Sequence, residues 1–243
     1  MRFGYIATLV LVAALSGCAS YITPGAKADL QKFAPADIKE GFAIKPTAPF
    51  PASIAVVRIQ APEYTNHRLR KYGGNYGTGN YSVIMVKEVD EQAQLERVAG
   101  LPQVAGLVSI NRMLLPPQLE NHREIRVAAS RLQADLVFVY TFDTSFFDSD
   151  AAKPLTVITL GLSPTRTISA VTTASALLLD TRTGYIYSAY ETTERADALS
   201  TTWGSGDAAD ETRRQTEKEA FKKLVDSVVE SWPRLLERHR PRG

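Results

Sequence analysis

The chain has 243 residues, 28 Lys+Arg against 26 Asp+Glu, and one cysteine. So even a balance argues against a generic nucleic-acid binder, which carries a clear basic excess, and one thiol excludes an intrachain disulfide framework or a cysteine zinc site. A hydrophobic share of 44% with 22% charged residues is globular composition and excludes a disordered chain.

Met1-Arg2 is a short positive start, Phe3 to Ala14 is almost wholly apolar, and Leu15-Ser16-Gly17-Cys18 follows. A charged start, a short apolar run and small residues before a cut read as a secretory signal over residues 1–17. The run is too short for an ordinary membrane-spanning helix, which needs about 20 residues. Removal leaves 226 residues and a side-chain balance of +1, because Arg2 is the only charged residue lost. Leu15, Ser16 and Gly17 ahead of Cys18 resemble the lipobox of bacterial lipoproteins. That resemblance implies a diacylated Cys18 thiol, cleavage before it and acylation of the new amine. Several acyl chains hold a soluble body on a bilayer where one holds it only marginally. Ala19, where an aspartate would retain an enterobacterial lipoprotein at the inner membrane, implies the outer membrane, with the body facing the periplasm.

Residues 18–52 carry five prolines and read as a tether that partly packs on the body. Fully extended, such a stretch reaches on the order of 100 Å. Residues 53–238 read as one α/β domain, and 239–243 as a basic tail. Ser53 to Gln60 and Tyr81 to Val89 are expected strands, rich in β-branched residues. Asp90 to Ala99 is an expected short helix stopped by Gly100 and Pro102, and Val104 to Leu114 an expected strand. Gln118 to Gln133 reads as a helix, with Pro117 at its first turn and Ile125, Ala128, Ala129 and Leu132 on one apolar face. Leu136 to Tyr140 is apolar without alternation, as in a strand covered on both sides. Thr167 to Leu179 and Tyr185 to Thr193 are expected strands joined through Asp180 to Gly184. Asp207 is the expected cap of a last helix that Pro233 should kink or end near Val229 to Trp232, with Glu219 and Lys223 paired at i,i+4. The expected fold is a mixed sheet of five to six strands packed by two to three helices.

Two patches, LQADLVFVY at 132–140 and SALLLDTRTGYIYSAYE at 175–191, resemble a group of envelope lipoproteins. Their α/β body is similar to the TolB amino-terminal domain, and the group includes the curli-secretion lipoprotein CsgG and the penicillin-binding-protein activator LpoB. The whole chain looks closest to the rhombotarget lipoproteins. The resemblance implies a protein–protein or assembly role and transfers no catalytic residue.

No histidine pair among His67, His122 and His239 has metal-ligand spacing, and no serine sits in a Gly-x-Ser-x-Gly elbow. The Gly/Tyr segment from Gly73 to Gly79 lacks the Lys-Ser/Thr of a phosphate loop. It reads instead as a mobile partner-binding loop, with Tyr64, Tyr72, Tyr76 and Tyr81 as contact groups and Arg68, Arg70 and Lys71 as a positive end for an acidic partner. Leu155 to Leu162 is the most apolar stretch after the signal and reads first as core. The expectation is a lipid-anchored, non-catalytic envelope module without metal or cofactor beyond the lipid on Cys18. Its expected partners are the membrane, an envelope protein and a second copy of the chain. A subunit of a CsgG-like secretion pore ranks second and a cell-wall hydrolase third.

Overall fold

A computed structural model describes residues 27–34, 37–65, 73–86, 91–150, 166–200 and 205–239, less the side chains of 147–150, 166, 200 and 205–207. The strands are β1 (Ala52–Gln60), β2 (Asn75–Tyr76), β3 (Thr78–Gly79), β4 (Ser82–Ile84), β5 (Val104–Ser109), β6 (Gln118–Leu119), β7 (Leu136–Asp150), β8 (Arg166–Asp180) and β9 (Ile186–Ser200). The helices are α1 (Ile38–Ala43), α2 (Glu91–Ala99), α3 (His122–Arg131) and α4 (Ser205–Arg238). The expected mixed α/β architecture is present, with a larger sheet than the sequence indicates.

That sheet has seven strands in the order β2-β4-β1-β7-β8-β9, with β5 also paired to β1. Parallel β5 lies beside residues 52–56 of β1, and antiparallel β4 beside 59–60, so two short strands share one edge. On its other side β1 pairs in parallel with β7, and β7, β8 and β9 are antiparallel. β1 is buried along nearly its whole length because helices cover both faces, which is what its near-continuous apolar run requires.

On one face Ile54, Val56, Phe138, Phe142 and Leu178 pack against α2 and α4. Phe221, Leu224, Val225, Val228 and Trp232 recur at helical spacing along α4 and are all buried there. On the other face Ala55, Val57, Val139 and Leu179 meet Ile125, Ala128 and Ala129 of α3, joined by Phe33 from the tether.

Several expected boundaries move, each for a local reason. α3 begins at His122, not at Gln118. Asn121 accepts from the Arg123 amide at 2.8 Å, Glu124 accepts from the Asn121 amide at 3.0 Å, and that box sets the first turn. Gln118 and Leu119 pair instead with β3. β5 ends at Ser109 because Asn111 caps a short 3-10 turn over Arg112–Leu114. Within the described part of Tyr81 to Val89, only Ser82–Ile84 is strand. β7, β8 and β9 run 15 residues each, far past their apolar starts, because α4 backs their polar ends and buries Thr144 and Thr172.

Pro233 does not end α4, which continues to Arg238. Buried Trp232 and Leu235 flank the proline, and the Trp232 indole N–H donates to the Pro102 carbonyl at 2.8 Å, so tertiary packing holds the turn that proline weakens. Asp207 lies inside α4, not at its cap position. Lys223 pairs with Glu194 of β9, not with Glu219.

The tether packs on the body in part, as expected, through Ala28, Phe33, Thr47, Ala48 and Phe50, while α1 between them is exposed. Ala28 and Phe33 are buried, the Ala28 amide donates to the Thr141 hydroxyl at 3.1 Å, and Phe50 packs edge-on against Tyr187 and Trp232. Only the ten peptide steps from Cys18 to Ala28 remain as reach, at most about 35 Å in place of the 100 Å expected. Cys18, the lipobox and Leu155 to Leu162 lie outside the described residues.

Candidate functional site

The two sequence patches converge on one end of the sheet, and their aspartates build it. Asp180, at the end of β8, is fully buried. One carboxylate oxygen accepts from the Arg182 and Thr183 amides at 2.9 and 3.0 Å, which closes the β8–β9 turn. The other accepts from the Thr47 and Ala48 amides at 2.6 and 2.9 Å, which fastens the tether. Burial alone would raise its pKa, but the donated amides of Thr47, Thr183 and Arg182 outweigh that and hold it below the usual carboxylate range. Asp135 accepts from the Ser53 amide at 3.1 Å and from Arg182 at 3.0 Å, joining the start of β7 to the start of β1. Both aspartates bind backbone, so Ala134-Asp135 in the first patch and Asp180 to Gly184 in the second are structural.

Beside that turn lies a groove of about 440 Å³, lined by His122, Arg123, Arg126, Val127, Thr181 and Arg182 among others, with no acid among the described residues of its lining. Arg126 is the organising group. Its Nε donates to the Thr181 carbonyl at 2.9 Å, its Nη2 to the Arg182 carbonyl, and its Nη1 faces His122 Nδ1 at 3.3 Å. Gly184 makes this approach possible. Its φ is +76°, and a Cβ there would sit 2.9 Å from Arg126 Nη1. The His122 ring lies 6.0 Å from that of Phe33. Burial, then Arg126, lowers the His122 pKa, with Glu124 opposing, so the ring is neutral and accepts from the guanidinium. A second groove of about 370 Å³ shares Arg123 and Val127 and adds Leu114, Pro116 and Arg131. The exposed ridge of α3 stands between the two, and Met113 beside it is 86% exposed.

A different cluster lies inside the sheet–α4 layer. Arg58, fully buried in β1, meets Glu91 of α2 at 3.2 Å and Glu217 of α4 at 3.4 Å, and donates to the Tyr64 hydroxyl at 3.2 Å. Its guanidinium carbon lies 4.4 Å from the Phe142 ring centroid. Buried Arg213 adds a second bond to Glu217 at 3.0 Å. Burial, then neighbouring Glu91, pushes the Tyr140 phenol well above its ordinary pKa, so it stays protonated and donates to Glu91. These carboxylates are occupied by fixed donors within the fold, and the cluster ties β1, β7, α2 and α4 together.

Of the expected loop contacts, Tyr64 and Tyr81 are buried, not presented to solvent. Arg58 holds the Tyr64 hydroxyl, and the Tyr81 hydroxyl donates to the Asn121 carbonyl at 2.8 Å. Tyr76 is half-buried and donates to the Leu115 carbonyl at 3.2 Å. Gly73 to Gly79 therefore leans on the segment leading into α3. Arg68, Arg70, Lys71 and Tyr72 lie outside the described residues. Sequence reasoning missed the α3 groove. The available signal was Arg123 and Arg126 at i,i+3 on a face with few acids, beside an arginine in the turn.

Among the described residues no group of three or more His, Cys, Asp or Glu could hold a metal, and no helix is long and apolar enough to cross a membrane.

The fold defines a mixed α/β protein with a seven-stranded sheet. No family model and no curated protein matches the chain. Among solved structures it is similar to a Xanthomonas campestris protein of family DUF330, at 14% identity over 89% of this chain and 98% of that one, with a TM-score of 0.36. A neuraminyllactose-binding hemagglutinin homolog from Helicobacter pylori matches at 11% identity over 80% of this chain and 93% of that one, with a TM-score of 0.34. Likeness this distant carries no functional argument.

Proposed function

We propose that this chain is a lipid-anchored lipoprotein of the bacterial envelope and that its α/β body is a non-catalytic interaction module. The observation that carries the reading is Cys18, the only cysteine, placed behind Leu15-Ser16-Gly17 at the end of a short apolar run. In this account the lipid on Cys18 holds the body at the outer membrane, facing the periplasm. The short reach from Cys18 to docked Ala28 keeps the body close to the bilayer. The non-catalytic reading draws on the buried acids. Glu91, Glu217 and Asp180 all spend their oxygens on fixed donors of the fold. The α3 ridge, with exposed arginines and apolar side chains between two grooves, is the surface offered to a protein partner.

A subunit of an oligomeric secretion pore is the second reading, favoured only by strand length. β8 and β9 have 15 residues each, more than the roughly 9–11 a spanning strand needs. Against it, α4 covers one face of β9, and Glu191, Thr193, Arg195 and Asp197 line the other.

Fractionation tests the proposal. The unaltered protein should sediment with membranes, resist high salt and be released by detergent, whereas Cys18→Ser should remain soluble. Equal solubility of the two forms overturns it.

A further inference from the structure

We propose that the groove between α3 and the β8–β9 turn binds a phosphate group, held by Arg123, Arg126 and Arg182. The inference is independent of the acyl anchor, because it rests on how these arginines are supported. Arg58, Arg97, Arg195, Arg213 and Arg214 each meet a carboxylate within the fold. Arg126 does not: among the described residues it is fixed by two backbone carbonyls and a neutral imidazole. A half-buried guanidinium is thus held rigidly with its charge only distantly offset. Burial lowers its pKa, Asp180 opposes that and Arg123 adds to it, the pattern of a cation short of counter-charge. The Arg123 guanidinium, one turn away on an exposed residue, makes no hydrogen bond or ion pair among the described residues, its backbone amide alone being engaged by Asn121.

A second observation points to a ligand. Thr181 lines the same groove, is 5% exposed, and its hydroxyl has no hydrogen-bond partner among the described residues. Buried hydroxyls are ordinarily paired, and a hydroxyl hydrogen rotates to suit an incoming acceptor.

The chemistry favours phosphate over a lone carboxylate. Asp135 engages Arg182 at 3.0 Å and Asp180 lies behind the turn, so part of the charge is offset from outside the lining. What remains is a set of forked donors contributed by α3 and by the β8–β9 turn to one groove. Guanidinium forks match the oxygens of phosphate, and a phosphate monoester brings two negative charges to meet them. A groove of about 440 Å³ also has room for more than a bare ion. The phosphate can come from a lipid headgroup or from a free solute, and the test separates them.

The full-length chain in non-ionic detergent is titrated calorimetrically with inorganic phosphate, pyrophosphate, sub-micellar dihexanoylphosphatidic acid and acetate. Arg123→Gln is the main variant, since that side chain supports nothing in the fold, and Arg182→Gln is the second. At least one phosphate probe should bind tenfold or more tightly than acetate, weaken tenfold or more in either variant, and weaken as salt rises. Binding of phosphate or pyrophosphate indicates a free solute, and binding of the short-chain lipid alone indicates a headgroup. Either result supports the site. No binding by any phosphate probe, acetate binding as tightly, or binding that both variants leave unchanged overturns it.

Discussion

Gly184 and Arg126 are fitted to one another across 58 positions of sequence: the glycine turns the chain at φ +76°, and the room its missing side chain leaves is where the guanidinium lies. Gly184→Ala should therefore destabilise the protein by about 1–3 kcal/mol, from left-handed backbone strain plus the collision. Urea unfolding measures it. In an Arg126→Ala background the collision part should vanish, so the two changes should be non-additive. Simple additivity would contradict the fit.

Asp180 should be the costlier residue to alter. Asp180→Asn leaves one oxygen for two sets of amide donors, and should cost about 2–3 kcal/mol. The tether at Thr47 and Ala48 should then exchange its amide hydrogens faster. The sign of the pH effect follows from the depressed folded pKa. The unfolded carboxyl titrates near about pH 3.9, so Asp180 contributes stability that is present above that value and lost as pH falls through the folded pKa. The Asn variant should lack this component of acid sensitivity.

His122 acts in a higher window. Its folded pKa is lowered, so the unfolded chain takes up a proton that the folded one refuses. Stability should be unaffected above about pH 6.5 and should fall as pH drops from there toward the folded value. Comparing thermal melts of the wild type and His122→Asn between pH 7.5 and 5 isolates this term, and parallel slopes would contradict it.

The buried cluster predicts a larger effect. Arg58→Met removes the cation that Glu91 and Glu217 share, leaving carboxylates in the core with less counter-charge. A loss of about 3–5 kcal/mol is expected, read from the urea midpoint. A loss under about 1 kcal/mol would show that the ion pairs contribute little.

Elements with dense local signals were legible in the sequence: the apolar runs at β1 and β7, the Asp-x-x-Thr-Gly turn after β8 and the spaced apolar face of α4. The misses depend on distant partners. Arg58 interrupts an apolar strand, and its burial makes sense only once Glu91 and Glu217, 33 and 159 positions on, close around it. Arg126 is supported by carbonyls, and a backbone acceptor leaves no trace in residue identity. The polar ends of β7 to β9 hold as strands because α4 lies on them. Asn121 and Glu124 did carry a local capping signal, but Pro117 competed with it for the helix start.

The central claim is the lipid on Cys18, and intact mass spectrometry of the mature protein from its native membrane tests it most directly. The account predicts a chain beginning at Cys18, heavier than its sequence by a diacylglyceryl group on sulfur and an acyl group on the new amine. A mature protein that keeps residues 1–17, or starts at Cys18 with a free thiol, contradicts it.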